Sequence, residues 1–415
     1  MAEPRPDADE IEIMRLGGEG DGVGEGADGA VYVPRALPGE RAVMGPDGVW
    51  QVLGDPSPQR RREALCPHFP ACGGCTLQHM DETLYRAWKA GLLVSALERH
   101  GLKVDVEPML SVPARSRRRA TLSGRHAPSG FVFGFHTTRS HDIVPVTHCA
   151  VLSPVIVAAL DELRLIAART APRPDGEARL SVLVASQGLD VTVSAGRGPA
   201  DRLMVADLAR IAASGPVVRL TVNGETAVQR TTPTIRLAGV DVAPPPAAFL
   251  QAVAEAEAAI ATVILGSLPK KSKHVADLFA GLGTFSFALA ARVQVHAYDS
   301  DRGLIEALAS AARGAAGLKP VTTTVRDLFR DPLSPKELAR FDAVVFDPPR
   351  AGAKAQAEAI ARSTVRRVVA VSCNPATLAR DVALLVEGGY AIERVVPVDQ
   401  FLYTPHLEAV VVLGR

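Results

Sequence analysis

The sequence predicts an α/β protein in three parts: a small N-terminal β-barrel, a mixed α/β centre, and a C-terminal domain on a parallel sheet. Three observations predict it. Residues Ile11 to Gly54 hold short apolar runs separated by frequent glycine-rich turns, the pattern of a small barrel. From Ala247 onward, helical segments alternate with short apolar strands, which reads as a βαβ repeat with parallel pairing. The stretch between has strand-like runs without that alternation and ends at Pro244-Pro245-Pro246.

With 415 residues, 47% of them apolar and 22% charged, the chain can build two or three domains with ordinary soluble cores. The net charge of +1 announces no polyanionic partner, but its distribution is uneven. Residues 1–60 carry 12 acidic and 5 basic side chains, whereas residues 61–150 carry 12 basic, 7 acidic and 7 of the 10 histidines. A basic middle beside an acidic front suits local, oriented binding of a polyanion. No apolar stretch has signal-peptide or membrane-span character; the longest, Ala247–Leu268, is interrupted by Gln251, Glu255 and Glu257. A cytoplasmic protein without membrane contact is expected. In that setting five cysteines point to metal binding or catalysis before disulfides.

In the front part, Gly17-Gly18-Glu19-Gly20-Asp21-Gly22 and Leu37-Pro38-Gly39-Glu40 are the turns, with Ala30–Val33 strand-like between them. Residues 61–80 hold Cys66-x5-Cys72-x2-Cys75, joined at a distance by Cys149. Four thiolates suit zinc or an iron–sulfur cluster, and the spacing leaves both open. Asp81 to Gly101 predicts a helix with Leu84, Trp88, Leu92, Leu93 and Leu97 at helical spacing and Gly101 as its stop. The centre predicts strands at Phe131–Phe135, Leu180–Ala185 and Leu189–Ser194 and a helix over Pro154–Ala168.

In the C-terminal part, the strand-like run Val275–Phe279 leads to Gly281 and Gly283, and Thr284–Ala291 opens a helix. Glycines let backbone approach a ligand, and a helix N-terminus favours polar groups. The next strand, Val293–Tyr298, delivers Asp299 eighteen residues after Gly281, where a carboxylate can bind ribose hydroxyls. The third glycine of a dinucleotide fingerprint is replaced by Ser286. That leans from NAD toward S-adenosylmethionine, which has no pyrophosphate to cradle. Asp327, after Val321–Val325, is placed to meet an adenine edge.

Two further loops follow strands and so reach the ligand-binding edge of the sheet. Ala343–Phe346 leads to Asp347-Pro348-Pro349-Arg350, and Arg367–Ser372 leads to Cys373-Asn374-Pro375. A thiol, two carboxylates and a cofactor-type loop form the set that carbon methylation of a pyrimidine requires. Uracil C5 is a weak nucleophile; a thiolate adding at C6 activates it. A carboxylate must then remove the C5 proton. Cys373 is the candidate nucleophile and Glu408, in the final strand Leu407–Leu413, the candidate base.

From about Ile11 onward the chain resembles the RNA 5-methyluridine (uracil-C5) methyltransferase family, in the branch with an N-terminal TRAM barrel and a 4Fe–4S cluster. The 23S ribosomal RNA enzymes are its nearest likeness. The matching stretches are Leu37–Glu40, Cys66-Pro67-His68-Phe69-Pro70-Ala71-Cys72-Gly73-Gly74-Cys75, Asp347–Arg350, Ser372–Asp381 and His406-Leu407-Glu408. The resemblance implies a class I, Rossmann-like S-adenosylmethionine-dependent methyltransferase domain behind a mixed central domain and a TRAM/OB-like barrel. It implies Cys373 as nucleophile and Glu408 as base. It implies cofactor contacts at Gln251, Phe279, Thr284, Asp299, Asp327 and Asp347, and cluster ligands Cys66, Cys72, Cys75 and Cys149. The barrel would cover 8–60, the central domain 61–80 and 106–245, and the methyltransferase domain 81–105 and 246–415.

Several positions depart from the family pattern. Its Phe-Phe-Gln-x-Asn stretch ends here in Val253; its Glu after the second strand is Asp299; its loop Asn is Thr284. The aromatic before the basic pair is Ser116, and Pro-His before the late Thr is Leu402-Tyr403. None removes the nucleophile or the base. Arg115, Arg117, Arg118, Arg119 and Arg125, with His126, form the expected RNA-binding surface, since arginine forks suit phosphates. A monomer is expected. Simple transfer-RNA enzymes of the family lack the barrel and cluster, so the resemblance favours 23S ribosomal RNA. The rivals are the same chemistry on the transfer-RNA T-loop and a non-catalytic RNA-binding or ribosome-assembly factor.

Overall fold

The computed structural model describes residues 10–415 apart from 129, 175, 197, 199 and 200. Residues 8 and 9, the first two of the expected barrel, lie outside the described residues. The front part consists of two 3-stranded antiparallel sheets, one of Ile11–Glu12, Arg41–Met44 and Trp50–Leu53, the other of Arg15–Leu16, Gly22–Gly26 and Gly29–Val33. They share an interior of Ile11, Ile13, Val33, Ala36 and Ala42. Gly24 is required where the sheets meet: a Cβ there would stand 2.4 Å from the Glu12 carbonyl. The Leu37–Glu40 motif has a structural reason. Buried Glu40 accepts from Leu37 N–H at 2.8 Å, Ser57 N–H at 3.0 Å and Arg60 Nε at 2.7 Å, closing the turn beside these sheets.

The centre is a 7-stranded sheet in the order Ile143–Pro145, Gly130–His136, Arg119–Ala127, Glu177–Ala185, Gly188–Ala195, Val217–Val222, Glu225–Gln229. The Gly188–Ala195 and Val217–Val222 pair is parallel and the others antiparallel. Leu122, Leu180, Val191 and Leu220 of this sheet pack on Leu163 and Ile166. The helix expected over Pro154–Ala168 is two, Pro154–Ala158 and Leu160–Thr170, with the break at Ala159.

The C-terminal part is built on an 8-stranded sheet: Val321–Val325, Gln294–Asp299, His274–Leu278, Ala343–Phe346, Arg367–Ser372, Glu408–Gly414, Ala391–Asp399, Leu110–Ser111. The first five strands are parallel, as the βαβ pattern predicts. Glu408–Gly414 then inserts antiparallel to Arg367–Ser372. Helix Glu82–Glu98 belongs to this part although it precedes the centre in sequence. Its Leu93, Ala96 and Leu97 share one core with Val344, Val368 and Leu378. The segment continues past residue 105, because Leu110–Ser111 forms the edge strand beside Ala391–Asp399. Asp81 caps the helix by accepting from Leu84 N–H at 2.7 Å, and Gly101, at φ +74°, ends it. Its buried face is Tyr85, Lys89, Leu93, Ala96 and Leu97, rotated from the apolar stripe that the spacing predicts. Lys89 turns inward because Asp399 awaits it. Among the described residues no helix is long and apolar enough to cross a membrane.

Candidate active site

Parallel strands deliver their following loops to one edge of the sheet. Phe279 leaves the first strand at φ +61°, and Gly281 and Gly283 follow at φ +55° and +89°. A Cβ on Gly283 would stand 2.8 Å from the Phe287 ring, so only glycine closes this turn. Over Gly281 a Cβ would meet nothing within 4 Å, so the space above the loop is open to a ligand. Asp299 Oδ2 accepts from Gly281 N–H at 2.9 Å and its Oδ1 from Asp301 N–H at 2.9 Å. That fixes a carboxylate beside the loop with lone pairs still available. Asp327 turns over its own loop, accepting from Phe329 N–H at 3.0 Å. Phe329, half exposed, stands 5.4 Å from the Phe279 ring at a 55° tilt. The two rings contact each other beside the loop; no periodicity in the sequence singles out Phe329.

Cys373 and Glu408 meet because their strands pair, with Ser372 opposite Ala409. Glu408 is buried, and its Oε2 accepts from Gln400 Nε2 at 2.7 Å. Gln400 Nε2 also donates to Gln251 Oε1 at 2.7 Å, and Gln251 Nε2 donates to Asp347 Oδ2 at 2.8 Å. Two amides therefore link two carboxylates. Burial pushes Asp347 up to about 7 against the Gln251 hydrogen bond. Burial and the Asp347 charge push Glu408 well above the usual carboxylate range, against Gln400 and Arg119. Burial, Glu408 and Asp347 together push the Cys373 thiol up to about 11, with Arg350 opposing. The resting site thus holds a neutral thiol facing acids that keep their protons unusually well.

Asp277 lies beneath the glycine loop and is buried; burial pushes it up to about 7 although Ser286 Oγ donates to it at 2.5 Å. Ser286, the residue in place of a third glycine, is thus the partner of a strand carboxyl. Thr284 is half-buried at the head of this loop, whose helix begins at Ser286 and not at Thr284.

The arginines expected to grip RNA do not form one surface. Arg115 is exposed. Arg117 and Arg119 line a cavity of about 520 Å³ together with Cys66, Cys72, Cys75, Cys149, Phe249 and His406. Arg118 is committed to Glu257 at 2.5 Å and to the Gln251 carbonyl at 3.0 Å, a structural brace for the Gln251 segment. Arg125 reaches Asp142 at 3.4 Å. Arg119 stacks on the exposed ring of Phe249 at 4.5 Å, and its charge acts on Cys373 and Glu408. Arg117 and Arg119 thus share one cavity while Arg118 between them turns to Glu257.

The four clustered cysteines are all free thiols. Gly73 N–H donates to the His136 carbonyl at 2.9 Å, and a Cβ on Gly73 would stand 2.7 Å from the same oxygen. His68 Nε2 accepts from Thr147 N–H at 3.1 Å. These bonds fasten the segment around Cys66 to His136 and to Thr147, two residues before Cys149. Burial pushes Cys75 up to about 12 and raises Cys72 and Cys149, and the thiols raise one another. Among the described residues no group of three His, Cys, Asp or Glu side chains closes around a single metal ion. The four thiols line one cavity, and a four-thiol donor set suits zinc or an iron–sulfur cluster alike.

Residues 244–415 match the family described as tRNA (Uracil-5-)-methyltransferase. The chain is 44% identical to an uncharacterized RNA methyltransferase of Brucella suis biovar 1, across 98% of both chains. It is 33% identical to the 23S rRNA (uracil(1939)-C(5))-methyltransferase RlmD of Chromohalobacter salexigens, across 98% of this chain and 90% of that relative. Its fold is similar to that of the tRNA (uracil-54, C5)-methyltransferase of Pyrococcus abyssi, solved with S-adenosyl-L-homocysteine. That match has a TM-score of 0.74 at 23% identity and covers 97% of this chain and 99% of the other.

Proposed function

The chain belongs to the RNA (uracil-5-)-methyltransferase family, and on that premise we propose that it forms 5-methyluridine in 23S ribosomal RNA, using S-adenosylmethionine. The observation that carries the chemistry is the meeting of Cys373 and Glu408 at the sheet edge, linked to Asp347 through Gln400 and Gln251. Bound S-adenosylmethionine supplies an electrophilic methyl group. Gln251, Phe279, Thr284, Asp299, Asp327 and Asp347 would hold it: Asp299 at the ribose, Asp327 at the adenine, Asp347 and Gln251 near the reacting end. Cys373 Sγ bonds to uracil C6, and the electron pair released from the C5–C6 double bond makes C5 the nucleophile. After methylation Glu408 takes the C5 proton. The C–H pair restores the double bond while the C6–S pair returns to Cys373. Asp347 and Glu408 raise the thiol by their charge, so a cation entering beside them favours the thiolate.

Cys66, Cys72, Cys75 and Cys149 are read as ligands of a 4Fe–4S cluster with a structural role, joining two segments of the central domain. The support is their shared cavity wall and the bonds that fasten the segments. Anaerobically purified protein should be brown and carry iron and sulfide in about equal amounts; colourless protein with stoichiometric zinc would overturn this. Arg115, Arg117, Arg119 and Arg125 remain the proposed RNA contacts, with Arg118 acting through its brace. We read the enzyme as a cytoplasmic monomer. The front barrel does not separate ribosomal from transfer RNA, because a transfer-RNA enzyme shares the fold over nearly the whole chain. The ribosomal reading rests on the 33% identity to the 23S rRNA enzyme.

The deciding experiment supplies labelled S-adenosylmethionine with unmodified 23S ribosomal RNA and unmodified transfer RNA in parallel and identifies the product nucleoside. 5-Methyluridine in ribosomal RNA alone supports the proposal. Label in transfer RNA alone keeps the chemistry and overturns the substrate. No label in either, with cofactor bound and no adduct on 5-fluorouridine RNA, favours a binding or assembly factor.

A further inference from the structure

Gln400 lies in the loop between the last two long strands and is 1% exposed. All its polar capacity is spent on the active site. One amide N–H goes to Glu408 Oε2 at 2.7 Å and the other to Gln251 Oε1 at 2.7 Å, while its Oε1 accepts from Ala252 N–H at 3.0 Å. The orientation is forced. A flipped amide would face two oxygens with its own oxygen and a backbone N–H with its NH2. Gln251 is oriented in turn, so its NH2 must face Asp347, at 2.8 Å.

Glu408 is left with one committed oxygen. Its Oε1 is buried and has no hydrogen-bond partner among the described residues. A buried carboxylate oxygen without a partner is costly unless a substrate group completes it. The backbone under Gln400 is also held. Asp399 accepts from Lys89 Nζ at 2.5 Å and from Tyr85 OH at 2.5 Å, and Lys89 Nζ also reaches the Phe401 carbonyl at 3.1 Å.

We propose that Gln400 is a positioning residue for proton removal: it holds Glu408 Oε2, so that Oε1 is the atom that takes the C5 proton, and it ties this base to the Gln251–Asp347 pair. The inference rests on the proposed uracil-C5 reaction. In that reaction the C5–H bond breaks toward Oε1, its pair re-forms the C5–C6 double bond, and the C6–S pair returns to Cys373. Without Gln400 the carboxylate rotates, and the step after methyl transfer slows while the thiol addition before it does not. The charged and titratable groups acting on Glu408 are Asp347, Arg119 and Cys373, and none of them replaces the lost donor.

The test is Gln400→Met, which keeps volume and removes both N–H groups, assayed beside wild type and Glu408→Gln. The expected result is a fall in kcat of about tenfold to a hundredfold with KM for RNA within about twofold. A methylated RNA–protein adduct should accumulate during turnover, and the adduct with 5-fluorouridine RNA should form at the wild-type rate. The acid limb of the kcat profile should move to higher pH, since the ionised base has lost a donor. Unchanged kcat, or an equal loss of turnover and of 5-fluorouridine adduct formation, overturns the proposal. If Gln400→Met fails to bind S-adenosylmethionine, Gln400→Glu, which keeps the Ala252 bond, is read by the same criteria. Wild type that forms neither adduct nor 5-methyluridine sinks the proposed reaction itself, a separate outcome.

Discussion

Cys373 shows how one residue's surroundings decide its chemistry. Its thiol is pushed up to about 11 by burial and by Glu408 and Asp347. A free cysteine is nucleophilic only as thiolate. Alkylation of Cys373 by iodoacetamide in cofactor-free protein should therefore be slow at pH 7 and rise about tenfold per pH unit toward its pKa; mass spectrometry of the peptide measures it. A flat profile between pH 7 and 10 would contradict the buried, acid-flanked thiol. Cys373, Glu408 and Asp347 are legible in the sequence because each sits in a short motif at the end of an apolar strand. Gln400, Arg119 and Phe249 are not legible there as active-site partners. Gln400 is a single polar residue beside a strand end, and only the insertion of Glu408–Gly414 brings it to Glu408 and Gln251. Arg119 is one of three consecutive arginines in the sequence, and its stacking on Phe249 is a contact between distant positions.

At the scale of elements, helix Glu82–Glu98 is the clearest departure. Its existence and both ends follow from Asp81, the apolar spacing and Gly101, and its registration on the sheet does not. Lys89 is fully buried against Asp399, with Tyr85 OH on the same carboxylate. Burial lowers Lys89 while Asp399 raises it, with burial the larger effect. Truncating one partner of such a pair leaves the other charge buried and costs about 3–5 kcal/mol. Lys89→Met should lose that much in urea unfolding, whereas Tyr85→Phe, which removes hydrogen bonds but strands no charge, should lose about 1.5–3 kcal/mol. Equal, small losses would show that the pair is solvated. The anchor also touches the site: Asp399 precedes Gln400, and Tyr85 OH accepts from Tyr403 N–H at 2.9 Å. Lys89→Met should therefore lower kcat more than it raises the KM for RNA.

Across the whole molecule, the cysteine segment lies where barrel, centre and catalytic part converge. Leu37 of the barrel, Leu77 and Met80 of the cysteine segment, Tyr85 of the helix and Tyr403 of the catalytic loop share one core. His79 sits beside it with both ring nitrogens buried and without partners among the described residues, stacked 6.2 Å from Phe69. Burial, aided by Arg60 and Arg35, pushes it down to about 4. The unfolded chain takes up this proton near 6.5 and the folded chain does not. Stability from this group is full above pH 6.5 and falls as pH drops toward 4, by roughly 3 kcal/mol. Asp277 and Asp347, both raised to about 7, act in the opposite sense over the same range. The readout is therefore the difference between wild type and His79→Gln in urea unfolding from pH 7 to 4.5. The variant should lose less stability on acidification; parallel curves would mean that the ring is solvated.

The sequence by itself determined the α/β class, the parallel strands and the loops after them, and it singled out the thiol, the acids and the four clustered cysteines as candidates. These are local properties: apolar periodicity, glycine turns, and reactive residues next to strand ends. Only the tertiary structure decided what meets what. It inserted the last strand antiparallel, so that Glu408 faces Cys373. It carried helix Glu82–Glu98 across the chain to the C-terminal sheet, and it turned Arg118 to Glu257 while Arg117 and Arg119 line one cavity. Such contacts join residues up to hundreds of positions apart, Lys89 with Asp399 among them. They arise from the packing of buried faces and the pairing of buried charges, which no local pattern encodes.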